Sequence, residues 1–270
     1  MSVKKEANGR RSIQVEVEVP GTPEEVWRAI ATGPGISSWF VPAKFEERDG
    51  KPVAVNLEFG PGMVSRSVVT AWQPPNLFAR DGAGWVPGSP PIATEFSVEA
   101  KAGGTCIVRV VQSLFSSTDD WDEELRGAEG GWPGIFRILR LYLTHFRGQR
   151  SAFMQFMAPV AGTPADAWAA LTAALGFKGV SAGQRWAVPT GVPALGGVLE
   201  NVSHGPFGAL LRLDEPGPGI AALYTIEFGD TVMASLAFYM YGDDAPGTVA
   251  RERPRWQSWV QERFSMPTGK

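Results

Sequence analysis

Ten residues near the start of the chain return 141 positions later, half of them unchanged. Gly21-Thr22-Pro23-Glu24-Glu25-Val26-Trp27-Arg28-Ala29-Ile30 and Gly162-Thr163-Pro164-Ala165-Asp166-Ala167-Trp168-Ala169-Ala170-Leu171 share Gly, Thr, Pro, Trp and Ala in register. A repeat of this kind predicts two like units in tandem. Each copy starts the same way. Residues 13–19 alternate Val15, Val17 and Val19 with Glu16 and Glu18, a strand with one buried face. Residues 153–160 read as its counterpart. A threonine that can cap a helix follows, then a proline suited to the first helical position.

Each unit also ends alike. Trp132, Ile135, Phe136, Leu139, Tyr142, Leu143 and Phe146 recur at spacings of three and four, which puts them on one helical face. Residues 248–264 carry Val249, Trp256, Trp259, Val260 and Phe264 among charged residues, a second closing helix. Such a helix after a run of strands buries its apolar face on a sheet. In the first unit, strands are predicted at 41–47, 52–59, 63–72, 77–80, 92–100 and 105–115. In the second they fall at 184–188, 197–202, 207–213, 220–228 and 232–241, with Gly229-Asp230 as a tight turn. Residues 1–11 are polar and read as a disordered tail, 12–148 as the first unit, and 151–265 as a shorter second one.

Composition excludes several classes. The net charge is -3 and no basic stripe is present, so nucleic acid is not an expected partner. The single cysteine, Cys106, rules out a disulfide within the chain and a cysteine zinc cluster. No stretch reaches the ~20 apolar residues of a membrane span, and no secretory signal is read. The expected location is the cytoplasm. With two histidines, no His-Glu-x-x-His, no Gly-x-Ser-x-Gly and no phosphate loop, neither a metal nor a cofactor is expected. His145 and His204 read as a helix-end residue and a loop residue, and Cys106 as a buried small hydrophobe.

Taken together, Thr22-Pro23 with Trp27, Trp39, residues 69–72 leading into Pro74-Pro75, Gly104-Thr105, and Gly131-Trp132 opening the last helix carry a resemblance. Over residues 12–147 the chain resembles the activator-of-Hsp90-ATPase-homologue-like branch of the SRPBCC, or START/Bet v 1-like, superfamily. The second unit resembles a degenerate copy. The resemblance implies an α+β chain of two tandem helix-grip domains. In each, a curved antiparallel sheet wraps a long C-terminal helix, with an apolar cavity between them. It also implies binding of a lipid, polyketide or similar hydrophobic molecule. Two alternatives stand beside it: a cyclase or dehydratase on a hydrophobic substrate, and a chaperone-associated or regulatory protein. A homodimer is left open.

The last strand of the first unit indicates which residues face such a cavity. Cys106, Val108, Val110, Gln112 and Leu114 form its more apolar face, assigned inward, while Arg66 and Glu95 on neighbouring strands are read as outward charges. Gln112 would then need a partner or a ligand. The expected ligand-binding residues are Trp39, Trp85, Phe96, Val110, Gln112, Leu114, Trp132, Phe136 and Leu139. In the second unit, Tyr224, Phe238, Tyr239, Tyr241, Trp256 and Trp259 either line a second cavity or fill a core.

Overall fold

The computed structural model describes residues 3–60, 62–84, 88–177, 179–202, 208–228 and 231–264. The chain divides into two compact units, Met1–Gly148 and Gln149–Lys270. The first unit runs β1 (Lys4–Lys5), β2 (Arg10–Pro20), α1 (Pro23–Ala31), α2 (Gly33–Ser37), β3 (Ala43–Arg48) and β4 (Lys51–Gly60). It continues with β5 (Met63–Gln73), β6 (Leu77–Gly82), β7 (Ile92–Lys101), β8 (Thr105–Phe115) and α3 (Asp122–His145). The second runs β9 (Ala152–Val160), α4 (Pro164–Leu175), β10 (Arg185–Ala187), β11 (Gly196–Val202), β12 (Ala209–Glu215), β13 (Gly219–Phe228), β14 (Thr231–Met240) and α5 (Ala245–Phe264).

Each unit has one antiparallel sheet, ordered β1-β2-β8-β7-β6-β5-β4-β3 in the first and β10-β11-β12-β13-β14-β9 in the second. In both, the strand before the capped helix pairs with the strand before the closing helix: β2 with β8, and β9 with β14. The long helices lie on these strands, α3 on β2 and α5 on β9 and β14. This is the tandem helix-grip arrangement, α+β in class.

The repeat at offset 141 is a matched pair of capping boxes. Thr22 Oγ1 accepts from the Glu25 backbone N–H at 3.3 Å, and the Thr22 N–H donates to Glu25 Oε2 at 2.9 Å. Thr163 and Asp166 repeat both bonds, at 3.2 and 2.9 Å. Gly21 and Gly162 just before them sit at φ +130° and +96°. A side chain at either position would be strained and would crowd the capping carboxylate. At the 48–51 hairpin, Asp49 and Gly50 both have positive φ, as a two-residue type I′ turn requires.

Two expectations need correction. Residues 3–11 are not a disordered tail: β1 pairs with β2, setting Lys5 opposite Arg11. Lys5 Nζ reaches Asp119 and Asp122 at 2.9 and 2.8 Å, and Arg11 reaches the same two carboxylates at 2.7 and 2.6 Å. The polarity that suggested a tail instead neutralises the start of α3. Burial pushes the Asp122 carboxyl up, but hydrogen bonds from Lys5 and Arg11 outweigh it and hold the group below its ordinary range. Further, Gly131-Trp132 does not open the last helix. That helix starts at Asp122 and runs through Gly130, Gly131 and Pro133. Proline removes one intrahelical donor, while buried Leu125, Trp132 and Gly134 hold the helix to the core on either side. The turn expected at Gly229-Asp230 lies outside the described residues.

Candidate functional site

The inner face of the first sheet can be read strand by strand. On β8, Cys106, Val108, Val110, Gln112 and Leu114 are all buried, as the alternation predicts. Register places Val110 beside Phe96 on β7, which lies beside Phe78 on β6. Two residues along, Gln112 lies beside Thr94 and Thr94 beside Arg80. Side chains two apart on a strand share a face. The face under α3 therefore carries an apolar row and, next to it, a polar row of Arg80, Thr94 and Gln112.

Gln112 has its partners within the protein. Its Oε1 accepts from Trp132 Nε1 at 2.8 Å, and its Nε2 donates to Thr94 Oγ1 at 3.3 Å. Trp132 descends from α3 against Phe96 and Phe136, with ring centroids 5.5 and 5.3 Å apart. The aromatic contacts run outward from there. Phe40 lies 6.1 Å from Trp132 and 5.8 Å from Phe59, which is 38% exposed on β4. A continuous line of rings thus links the surface to the polar row.

Arg80 is the residue the sequence did not single out. Its Nη1 donates to Ser67 Oγ at 2.8 Å, and among the described residues no carboxylate pairs with it. Burial pushes its guanidinium down to about 10. A half-buried cation whose partner among the described residues is one hydroxyl is costly unless something anionic joins it. The outward charges behave differently: Arg66 pairs with Glu46 at 2.7 Å, and Glu95 is exposed. The signal for Arg80 is its place two residues from Phe78, but β6 is too short for an alternation to be visible.

The other expected site residues divide. Phe96, Val110, Gln112, Leu114, Trp132, Phe136 and Leu139 come together as buried residues on the sheet and helix faces. Trp39 is buried too, stacked on Phe40 with centroids 5.8 Å apart, and its Nε1 donates to the Ala29 carbonyl at 2.9 Å, tying α2 to α1. Trp85 and His204 lie outside the described residues. His145 is exposed near the C-terminal end of α3. Cys106 is buried, donates weakly to the Gly21 carbonyl, and has its thiol pushed up by burial. Among the described residues no group of three His, Cys, Asp or Glu side chains is arranged to hold a metal, and no helix is long and apolar enough to cross a membrane.

Comparison with protein families matches the family described as polyketide cyclase / dehydrase and lipid transport over residues 10–144. The chain belongs to that family. The match spans the first unit and names the cyclase and lipid-transport branch, not the narrower Hsp90-activator branch. As a member of that family, the chain binds a small hydrophobic molecule. Similar solved structures include the di-domain ARO/CYC BexL from the BE-7585A biosynthetic pathway. That likeness has 11% identity and a TM-score of 0.46, and covers 95% of this chain and 99% of that one. DynU16, from the dynemicin biosynthetic locus, is 16% identical with a TM-score of 0.43, covering 95% and 89%. The Aha1 dimer from Colwellia psychrerythraea is 20% identical with a TM-score of 0.40, covering 51% and 98%. Comparison with curated proteins finds no match.

Proposed function

We propose that the first unit takes a hydrophobic molecule with an acidic end. Its apolar body lies between the sheet and α3, and its anionic group meets Arg80. The observation that carries this is the half-buried Arg80 guanidinium in the polar row beside Thr94 and Gln112, which among the described residues has one hydroxyl partner and no carboxylate. The rings of Phe59, Phe40 and Trp132 mark the way in. Phe96, Val110, Leu114, Phe136 and Leu139 supply apolar surface, worth ~25 cal/mol per Å² covered. Gln112 acts through Trp132, holding the indole over the sheet.

The test is calorimetric titration with dodecanoate and with dodecanol, which share a tail. The acid binds the wild type more tightly. Arg80→Met weakens the acid by about 10- to 100-fold and leaves the alcohol nearly unchanged, since hydrogen bonds to a charged group are worth ~1.5–3 kcal/mol. Equal affinity for both probes, or no effect of the substitution, overturns the reading.

A second reading, a cyclase or dehydratase, draws on the same guanidinium, which suits the oxygen of a developing enolate. It requires a turned-over product whose formation falls with Arg80→Met. The buried, unpaired Cys106 supports a reducing compartment such as the cytoplasm. The net charge of -3 supports a small molecule over nucleic acid as partner.

A further inference from the structure

The two units differ at one border of their sheets. In the first, the outer side of β2 is filled by β1, with Lys4 opposite Ser12 and Lys5 opposite Arg11. Its counterpart β9 pairs with β14 on one side and, among the described residues, with no strand on the other. Alternate residues of an antiparallel strand turn both N–H and C=O to the same side. Two features agree on which residues of β9 face the open side. The Phe153 carbonyl accepts from Arg253 Nη2 at 2.9 Å, and Arg253 is exposed on α5. Pro159, an even number of positions away, has no N–H and suits the side without a ladder. Phe153, Gln155, Met157 and Pro159 therefore aim outward, and among the described residues nothing bonds to the Gln155 and Met157 backbones there. The usual guards of an open edge are thin. Residues 151–165 carry no charge, and Met157 is 42% exposed.

We infer that β9 is a docking edge for a second copy of this chain, the two strands running antiparallel about a two-fold axis at Phe156. In this register the edge is its own complement. Gln155 lies opposite Met157 of the copy, and each gives its N–H to the other's carbonyl. Phe153 lies opposite Pro159 of the copy and donates to its carbonyl. Proline has no N–H to return, and the Phe153 carbonyl needs none because Arg253 already serves it. A slip of two residues toward Pro159 would leave the Gln155 carbonyl facing a proline nitrogen. A slip the other way would set the Met157 N–H against the carbonyl that Arg253 holds. No charged side chain of β9 meets its like across the axis. Because both chains use the same patch, the contact closes at a dimer and offers no open copy of itself for further growth.

The experiment uses the full chain. Sedimentation velocity is run from about 1 to about 500 µM, since a short seam dissociates on dilution. The chain sediments as a monomer at the low end and as a dimer at the high end. Amide exchange followed by NMR slows at Gln155 and Met157 by ~10-fold or more over the same range. Met157→Pro removes an N–H from each copy that β14 does not use. It weakens association by about 10- to 100-fold, the loss of a backbone bond on both sides of the axis. Thermal unfolding of the dilute variant checks that the monomer keeps its fold. Met157→Lys alters only an exposed side chain, sets like charges beside the axis and weakens association as well. Four outcomes overturn the inference: a monomer at every concentration, association that survives both substitutions, a dimer in which Gln155 and Met157 exchange no more slowly, or slow exchange at every concentration, which would put a segment of the same chain on the edge.

Discussion

Gln112 and Arg80 sit in one polar row and behave oppositely when removed. Trp132→Phe leaves Gln112 Oε1 without its donor in an apolar wall. The expected cost is ~1–3 kcal/mol in urea unfolding, the price of an unmade buried hydrogen bond. Adding Gln112→Met restores part of it, because the orphan is removed too. Arg80→Met goes the other way in the ligand-free protein. A cation that burial disfavours, with no ion-pair partner among the described residues, is a liability. Its replacement raises stability by about 1 kcal/mol, read in the same urea titration, while binding of the acid is lost. Stability and affinity moving in opposite directions is the signature of a site residue. Sequence alternation revealed Gln112 because β8 displays five inward residues. It concealed Arg80, because a lone arginine on a short strand looks the same whether it faces in or out.

At the level of elements, the capping boxes and the ion cluster hold the helices at their starts. Thr22→Ala and Thr163→Ala each remove an N-cap and cost about 1 kcal/mol. Unfolding followed by circular dichroism checks both. The ion cluster gives a pH dependence with a definite sign. Asp119 and Asp122 are held below their ordinary value of 3.8 by Lys5 and Arg11. Glu46 is lowered to about 2, chiefly by hydrogen bonds from Arg66 and then Asn56. Depressed carboxyls contribute stability that is complete above the unfolded values and lost as pH falls through the folded ones. The melting temperature therefore stays level down to about pH 5 and drops from there to about pH 2. Asp122→Asn lowers the plateau and flattens the drop. The same cluster explains one misreading. Lys5 and Arg11 resemble a solvated tail until Asp119 and Asp122, more than a hundred residues on, are folded against them. Likewise, Gly130-Gly131 and Pro133 carry the local signs of a helix start, but burial on both sides of Pro133 overrides them. Strand positions were easier to read, since hairpins such as β3–β4 and β7–β8 announce themselves by a glycine turn and β5–β6 by Pro74-Pro75.

Over the whole molecule, the tandem plan was legible because Thr, Pro and Trp recur in register at a capped helix start. What each unit holds was less legible, since apolar residues look alike in a core and in a pocket wall. Each unit has its own sheet, closing helix and core. Residues 1–148 expressed alone are expected to unfold in one cooperative step and to bind dodecanoate within ~3-fold of the full chain. Urea unfolding and calorimetry check the two halves of that statement.

The strand order carries one more consequence. The outermost strands are β1, only two lysines long, β3, charged and bulged between Glu46 and Glu47, β10, three residues long, and β9, interrupted by Pro159. Short, charged, bulged or proline-bearing borders give a neighbouring chain less to extend by backbone pairing. Strand addition by a neighbouring chain is therefore discouraged at β1, β3 and β10, while the apolar run of β9 ahead of Pro159 is guarded only at its end.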